Sequence, residues 1–114
     1  MAESRFDAHV PTAFAFGEAN GLGSIENASL GGVFVETLTI PERGEKLWLS
    51  FQGPDGESVE AIGIVWWTTL EGDAACGIRE GFGLRLVASS GDYRKFISKL
   101  SRRSSYPKHA QRTA

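Results

Sequence analysis

Glycine occurs fourteen times in 114 residues, many of the copies set between apolar runs too short for a helix. That spacing favours turns and close backbone approaches over long helices. Inside the runs the period is two. Leu47, Leu49 and Phe51 alternate with Lys46, Trp48 and Ser50, and Phe82, Leu84 and Leu86 alternate with Gly83 and Arg85, as half-buried strands require. Residues 58 to 69 form a longer β-rich run, cut off from the strand before it by Pro54-Asp55-Gly56, a turn sequence. Residues 12 to 16 and 22 to 26 flank Asn20-Gly21, a strong hairpin signal, and 32 to 38 add a further strand. A helical period appears once: Tyr93, Phe96, Ile97 and Leu100 recur at i, i+3, i+4 and i+7, which predicts a helix over 92–102 capped by Ser90 or Asp92. Six strands and one helix hide their apolar face and their edges most simply by closure. The expected fold is all-β, a six-stranded antiparallel β-barrel with a C-terminal α-helix on its outside or over one opening.

The length suits one domain. The expected organisation is an N-terminal arm at 1–11, the barrel with its helix at 12–102, and a disordered basic tail at 103–114. Charge marks the last boundary. Residues 1–90 carry five basic and thirteen acidic side chains, a balance of −8, whereas residues 91–114 carry seven basic ones against Asp92 alone, a balance of +6. An acidic body repels a phosphate backbone, so a nucleic-acid polymer is not the expected partner. The chain opens on Met1-Ala2-Glu3-Ser4-Arg5-Phe6-Asp7, without the basic and apolar regions of an export signal, and it holds no run of apolar residues long enough to cross a bilayer. With a single cysteine, a cytoplasmic location without membrane insertion is expected.

Reaction chemistry finds little support. His9 and Ser29 could be a base and a nucleophile, but no G-x-S-x-G elbow surrounds the serine, and His109 falls in the tail. No phosphate loop and no H-E-x-x-H is present, and one cysteine with two histidines cannot complete a structural zinc site. Cys76, with no basic residue nearer than Arg79, reads as an inert thiol. The expectation is binding without catalysis, with no metal and no cofactor.

The segment most suggestive of binding is Asn27-Ala28-Ser29-Leu30-Gly31-Gly32. In extended backbone, positions i and i+2 face one side, so Asn27 and Ser29 can offer an amide and a hydroxyl to one ligand; an Asx or Ser turn closing a hairpin accounts for them equally well. Asn27-x-Ser29-x-x-Gly32 resembles the [D/N]-x-S-x-x-G motif of the PilZ domain family. The order of the surrounding blocks agrees: residues 32–37, Ile40-Pro41-Glu42-Arg43-Gly44, Leu47-Trp48-Leu49-Ser50-Phe51, Gly63-Ile64-Val65-Trp66-Trp67, residues 81–86 and the last helix. The resemblance implies the same barrel with a C-terminal helix. It also implies a receptor for the bacterial second messenger cyclic di-GMP that acts on motility, pilus or surface-polysaccharide machinery, with a protein of such a motility or envelope system as partner.

The family's second element, R-x-x-x-R, aligns with Arg5-Phe6-Asp7-Ala8-His9, where histidine stands at the second arginine. The resemblance therefore implies a ligand site of Arg5, His9, Asn27, Ser29 and Gly32. Arginine's planar fork meets the O6/N7 edge of guanine or a phosphate with paired donors, whereas neutral histidine offers one N–H. Loss of one such contact costs about 1–3 kcal/mol, or roughly 5- to 150-fold in affinity. Two readings follow: a receptor with an imperfect second position, or an adaptor that has lost the nucleotide and works through protein contacts. Trp48, Trp66 and Trp67 are the expected partner surface. If 58–69 is one regular strand, Trp66 and Trp67 point to opposite faces, one filling the barrel and the other packed under the helix or left as an anchor.

Overall fold

The computed structural model describes residues 4–69 and 79–113, with side chains through Arg102. Six strands, β1 (Phe6–Phe16), β2 (Ala19–Ala28), β3 (Gly32–Glu36), β4 (Lys46–Gln52), β5 (Ser58–Thr68) and β6 (Gly81–Ser89), precede one helix, α1 (Gly91–Thr113). The strands close into a barrel in the order β1-β2-β3-β6-β5-β4, every neighbouring pair antiparallel, with β4 returning to β1. The period of two works as expected. Leu47, Leu49 and Phe51 are buried while Lys46, Trp48 and Ser50 are exposed, and Val33, Val35, Val65, Phe82 and Leu84 meet them in the interior. Each such side chain contributes about 1.5–3 kcal/mol by leaving water.

The helix covers the end of the barrel where β2 passes to β3 and β4 to β5. Its buried stripe is Tyr93, Phe96, Ile97 and Leu100. The Phe96 ring meets Phe51 edge-on with centroids 4.8 Å apart, and the Tyr93 hydroxyl donates to the Ser29 carbonyl at 2.5 Å. Lys99 ties the outer side of the helix to the β4–β5 turn, pairing with Asp55 and with Glu57. At the helix start the Ser90 carbonyl accepts the Tyr93 N–H at 3.0 Å, while the Ser90 hydroxyl accepts the Glu60 N–H of β5.

Four details depart from the sequence reading. The first hairpin turns at Gly17-Glu18 rather than Asn20-Gly21, with Phe16 paired to Ala19. Gly17 holds φ at +55°, which suits the first central position of a two-residue hairpin turn, and Asn20-Gly21 is strand. The expected arm shortens, because from Phe6 onward it is β1. The helix starts at Gly91 and continues to Thr113 instead of stopping at 102; no Gly or Asn follows Leu100 to end it. Lastly, neither Trp66 nor Trp67 fills the barrel. The pairing of β5 with β6 slips between Val65 and Trp67, so a bulge at Trp66 breaks the alternation and both indoles lie outside, 58% and 42% exposed. Cys76 lies outside the described residues, as do the side chains of the tail, His109 included. Among the described residues, no helix is long and apolar enough to cross a membrane.

Candidate functional site

One outward-facing row of the sheet crosses five strands. Asp7 of β1 pairs with Asn27 of β2, Asn27 with Phe34 of β3, Phe34 with Gly83 of β6, and Gly83 with Trp67 of β5. Glycine in this row is a packing requirement: a Cβ on Gly83 would collide with the Trp67 indole. The indole lies across that gap and stacks on Phe34, with centroids 5.3 Å apart and planes within 10°. The row floors a groove of about 690 Å³ whose other walls are Arg5, His9, Glu26 and Arg79.

Two register shifts aim the polar walls. Between Asp7 and Val10, β1 places Ala8 and His9 opposite Glu26 alone, and between Ile25 and Asn27 the β2–β3 pairing skips Glu26. The bulges turn Glu26 and Asn27 out on the same side. Asn27 Oδ1 accepts from Arg5 Nη1 at 2.5 Å, which places the guanidinium at the groove's mouth. Glu26 keeps only 10% of its side chain exposed and gathers three partners: the Ser24 hydroxyl at 2.7 Å, His9 Nδ1 at 2.9 Å and Arg79 Nη1 at 2.5 Å. Burial pushes its carboxyl up, yet Ser24, His9 and Arg79 together outweigh that and hold it below the ordinary glutamate range.

The segment 27–32 divides its labour. Asn27 lines the groove, whereas Ser29 lies beyond the end of β2 and is buried at 1% exposure. The Ser29 N–H donates to the Gly32 carbonyl at 2.8 Å, the hydroxyl reaches the same oxygen at 3.4 Å, and the Ser29 carbonyl takes the Tyr93 hydroxyl. The strand ends at Ala28 and the chain turns, so the Ser29 hydroxyl sits in the turn, as the turn reading of this segment has it, while Asn27 faces the groove. Gly32 opens β3, where a Cβ would stand 2.7 Å from the Leu84 carbonyl and 3.6 Å from Arg5 Nη2. A second groove of about 340 Å³ adjoins here, walled by Arg5, Gly32, Trp66 and Arg85, so Arg5 divides the two. Arg85 lies over the Trp66 ring at 4.8 Å, and Lys46 over Trp48 at 5.1 Å.

The PilZ domain family model matches residues 1–102, which take in all six strands and the part of α1 that packs on the barrel. The chain belongs to the PilZ domain family. Its PilZ barrel also resembles a solved structure described as Bacillus subtilis inhibitor of motility (MotI/DgrA), with a TM-score of 0.75 at 19% sequence identity. That match covers 91% of this chain and 51% of the neighbour, so the chain spans about half the neighbour's length, and at this identity the likeness shows the fold alone. No curated protein matches the sequence. Within this PilZ domain, sequence reasoning overlooked Glu26 and Arg79. Glu26 looked like an ordinary strand carboxylate, and only the bulges reveal its position. Arg79 stands 53 residues from Glu26 in a connection without periodicity. Among the described residues, no three His, Cys, Asp or Glu side chains converge to hold a metal.

Proposed function

We propose that this PilZ domain is a cytoplasmic receptor module for cyclic di-GMP, which binds the dinucleotide in the groove floored by Phe34 and Trp67 and passes its level to a protein of a motility, pilus or polysaccharide system. The observation that carries this reading is the contact between Arg5 and Asn27, 2.5 Å, at the mouth of that groove. The first residue of each family motif, far apart in the chain, converges on one wall. There the Arg5 fork can meet a guanine edge or a phosphate, and the exposed edge of Trp67 offers an apolar face to a base. Ser29 and Gly32 serve the same site through the backbone, Ser29 by fixing the turn and Gly32 by leaving room for Arg5. The neighbour's description as an inhibitor of motility supports motility machinery as the output.

Titration calorimetry of cyclic di-GMP into the protein tests the reading. Saturable binding is expected, with a loss of about 5- to 150-fold in Arg5→Ala and an unchanged melting temperature. Equal affinity in Arg5→Ala would remove the groove from the account.

A second reading, an adaptor that acts without the nucleotide, draws on His9, which spends its Nδ1 on Glu26, and on Trp48 and Trp66, 49% and 58% exposed. On that reading cyclic di-GMP at millimolar concentration leaves the amide resonances of residues 27–32 unmoved. Saturable shifts there would eliminate it.

A further inference from the structure

The groove carries a guanidinium that neither motif supplies. Arg79 reaches the groove from the connection before β6, 56% exposed, and its Nη1 lies 2.5 Å from Glu26 Oε1 and 3.7 Å from Glu36 Oε1. His9 Nδ1 addresses the same Glu26 oxygen at 2.9 Å. Histidine at position 9 and arginine at 79 are therefore neighbours across one carboxylate, although seventy residues separate them. Among the described residues both carboxylates engage a single nitrogen of Arg79. An arginine has five N–H donors, so this anchoring fixes the fork and leaves its Nε and Nη2 without a carboxylate partner there.

The charge around the groove points the same way. Without Arg79, the fixed charges of its lining are Arg5 against Asp7 and Glu26, a net negative surface that disfavours a dianion. With Arg79 the lining's two carboxylates, Asp7 and Glu26, are balanced by two guanidiniums, Glu36 standing outside the lining, and a cation faces each flank of the stacked Phe34 and Trp67. Glu26, the least exposed member of the cluster, then serves as a positioning residue.

We infer that Arg79, rather than His9, supplies the groove's second guanidinium and takes a phosphate of the bound dinucleotide opposite Arg5. The inference rests on the receptor reading above and adds to it the residue that completes the clamp. Calorimetric titration of cyclic di-GMP into the full chain tests it with Arg79→Ala, Arg79→Lys and His9→Ala, each first checked for an unchanged melting temperature. Arg79→Ala is expected to weaken binding by about 10-fold or more, Arg79→Lys by less because the charge remains, and His9→Ala by under about 3-fold. Affinity should also fall less steeply with added salt in Arg79→Ala than in the parent, since one cation–phosphate contact is gone. If Arg79→Ala binds as the parent does, or if His9→Ala loses more than Arg79→Ala, the assignment to Arg79 is overturned while the receptor reading stands. If the parent itself does not bind, both fall together.

Discussion

Two clusters of opposite charge sit on this barrel, and they are built inside out relative to one another. At the covered end, Lys99 is 24% exposed and lies between Asp55, 73% exposed, and Glu57, 22% exposed. There the cation is tucked in beside Glu57 with Asp55 outside, both partners belong to the turn beneath the helix, and the cluster fastens one element to another. At the groove the anion is tucked in instead: Glu26 is 10% exposed, and its partners His9 and Arg79 are 77% and 56% exposed. A sheltered carboxylate with an outward guanidinium leaves positive charge facing solvent, where a second anion can be met. The same pair of charges therefore closes a fold in one place and equips a surface in the other.

The largest expected effect breaks the covered end. Phe96→Ala should cost about 3–5 kcal/mol in denaturant unfolding, because it empties the contact with Phe51 and loosens the helix lid. Loss within the scatter of surface mutants would mean that the helix contributes little to the barrel. Next comes Glu26→Gln, which removes the anion that orders the groove. The Glu26 carboxyl is held below its ordinary value of 4.5, so its stabilisation is present above that pH and disappears as pH falls through the lowered folded value. Melting of Glu26→Gln should fall below the parent at pH 7, and the two curves should merge under acid conditions; a gap that persists in acid would contradict the ion-pair account.

Lys99→Met should have a smaller effect, with a pH limit on the alkaline side as well. Asp55 raises the Lys99 ammonium above its ordinary 10.5 against the opposing effect of burial, and Glu57 adds to the rise, so its share of stability holds below 10.5 and is lost only as pH rises through the raised value. Glu57 is lowered, since backbone N–H groups and Lys99 outweigh its burial, so the clamp also fades in acid. A deficit confined to neutral pH would therefore be expected from Lys99→Met and would be absent at both extremes. The smallest effect is expected from ending the chain after Arg102: melting and ligand titration should both stay at the parent's values, and a lowered melting temperature would show that the last turns of α1 belong to the domain.

Much of the fold can be read from the alternation in residues 46–51 and 82–86 and from the helical spacing of Tyr93, Phe96, Ile97 and Leu100, because a period is a direct image of burial. The site is less legible, since it depends on places where the period fails. A bulge at Trp66 puts two adjacent indoles on one side, and the shifts around Glu26 turn two adjacent polar residues the same way; a string of letters with period two contains no mark of either. Asn20-Gly21 misled for a related reason. It is a good turn dipeptide, but the barrel register required the turn three residues earlier, where Gly17 could take positive φ. Arg79 had no local pattern to betray it, and only the closure of β6 onto β3 brings it to Glu26.

The row that floors the groove has a further consequence for the life of the chain. Asp7, Asn27, Phe34, Gly83 and Trp67 come from five strands, and the last of them to be synthesised, β6, sits between β3 and β5 in space. A nascent chain that has made every strand but this one lacks the Gly83 that joins Phe34 to Trp67, so the floor cannot form before β6 is made. On the receptor reading, binding is then expected only of the closed barrel, and a chain that ends before β6 should show none.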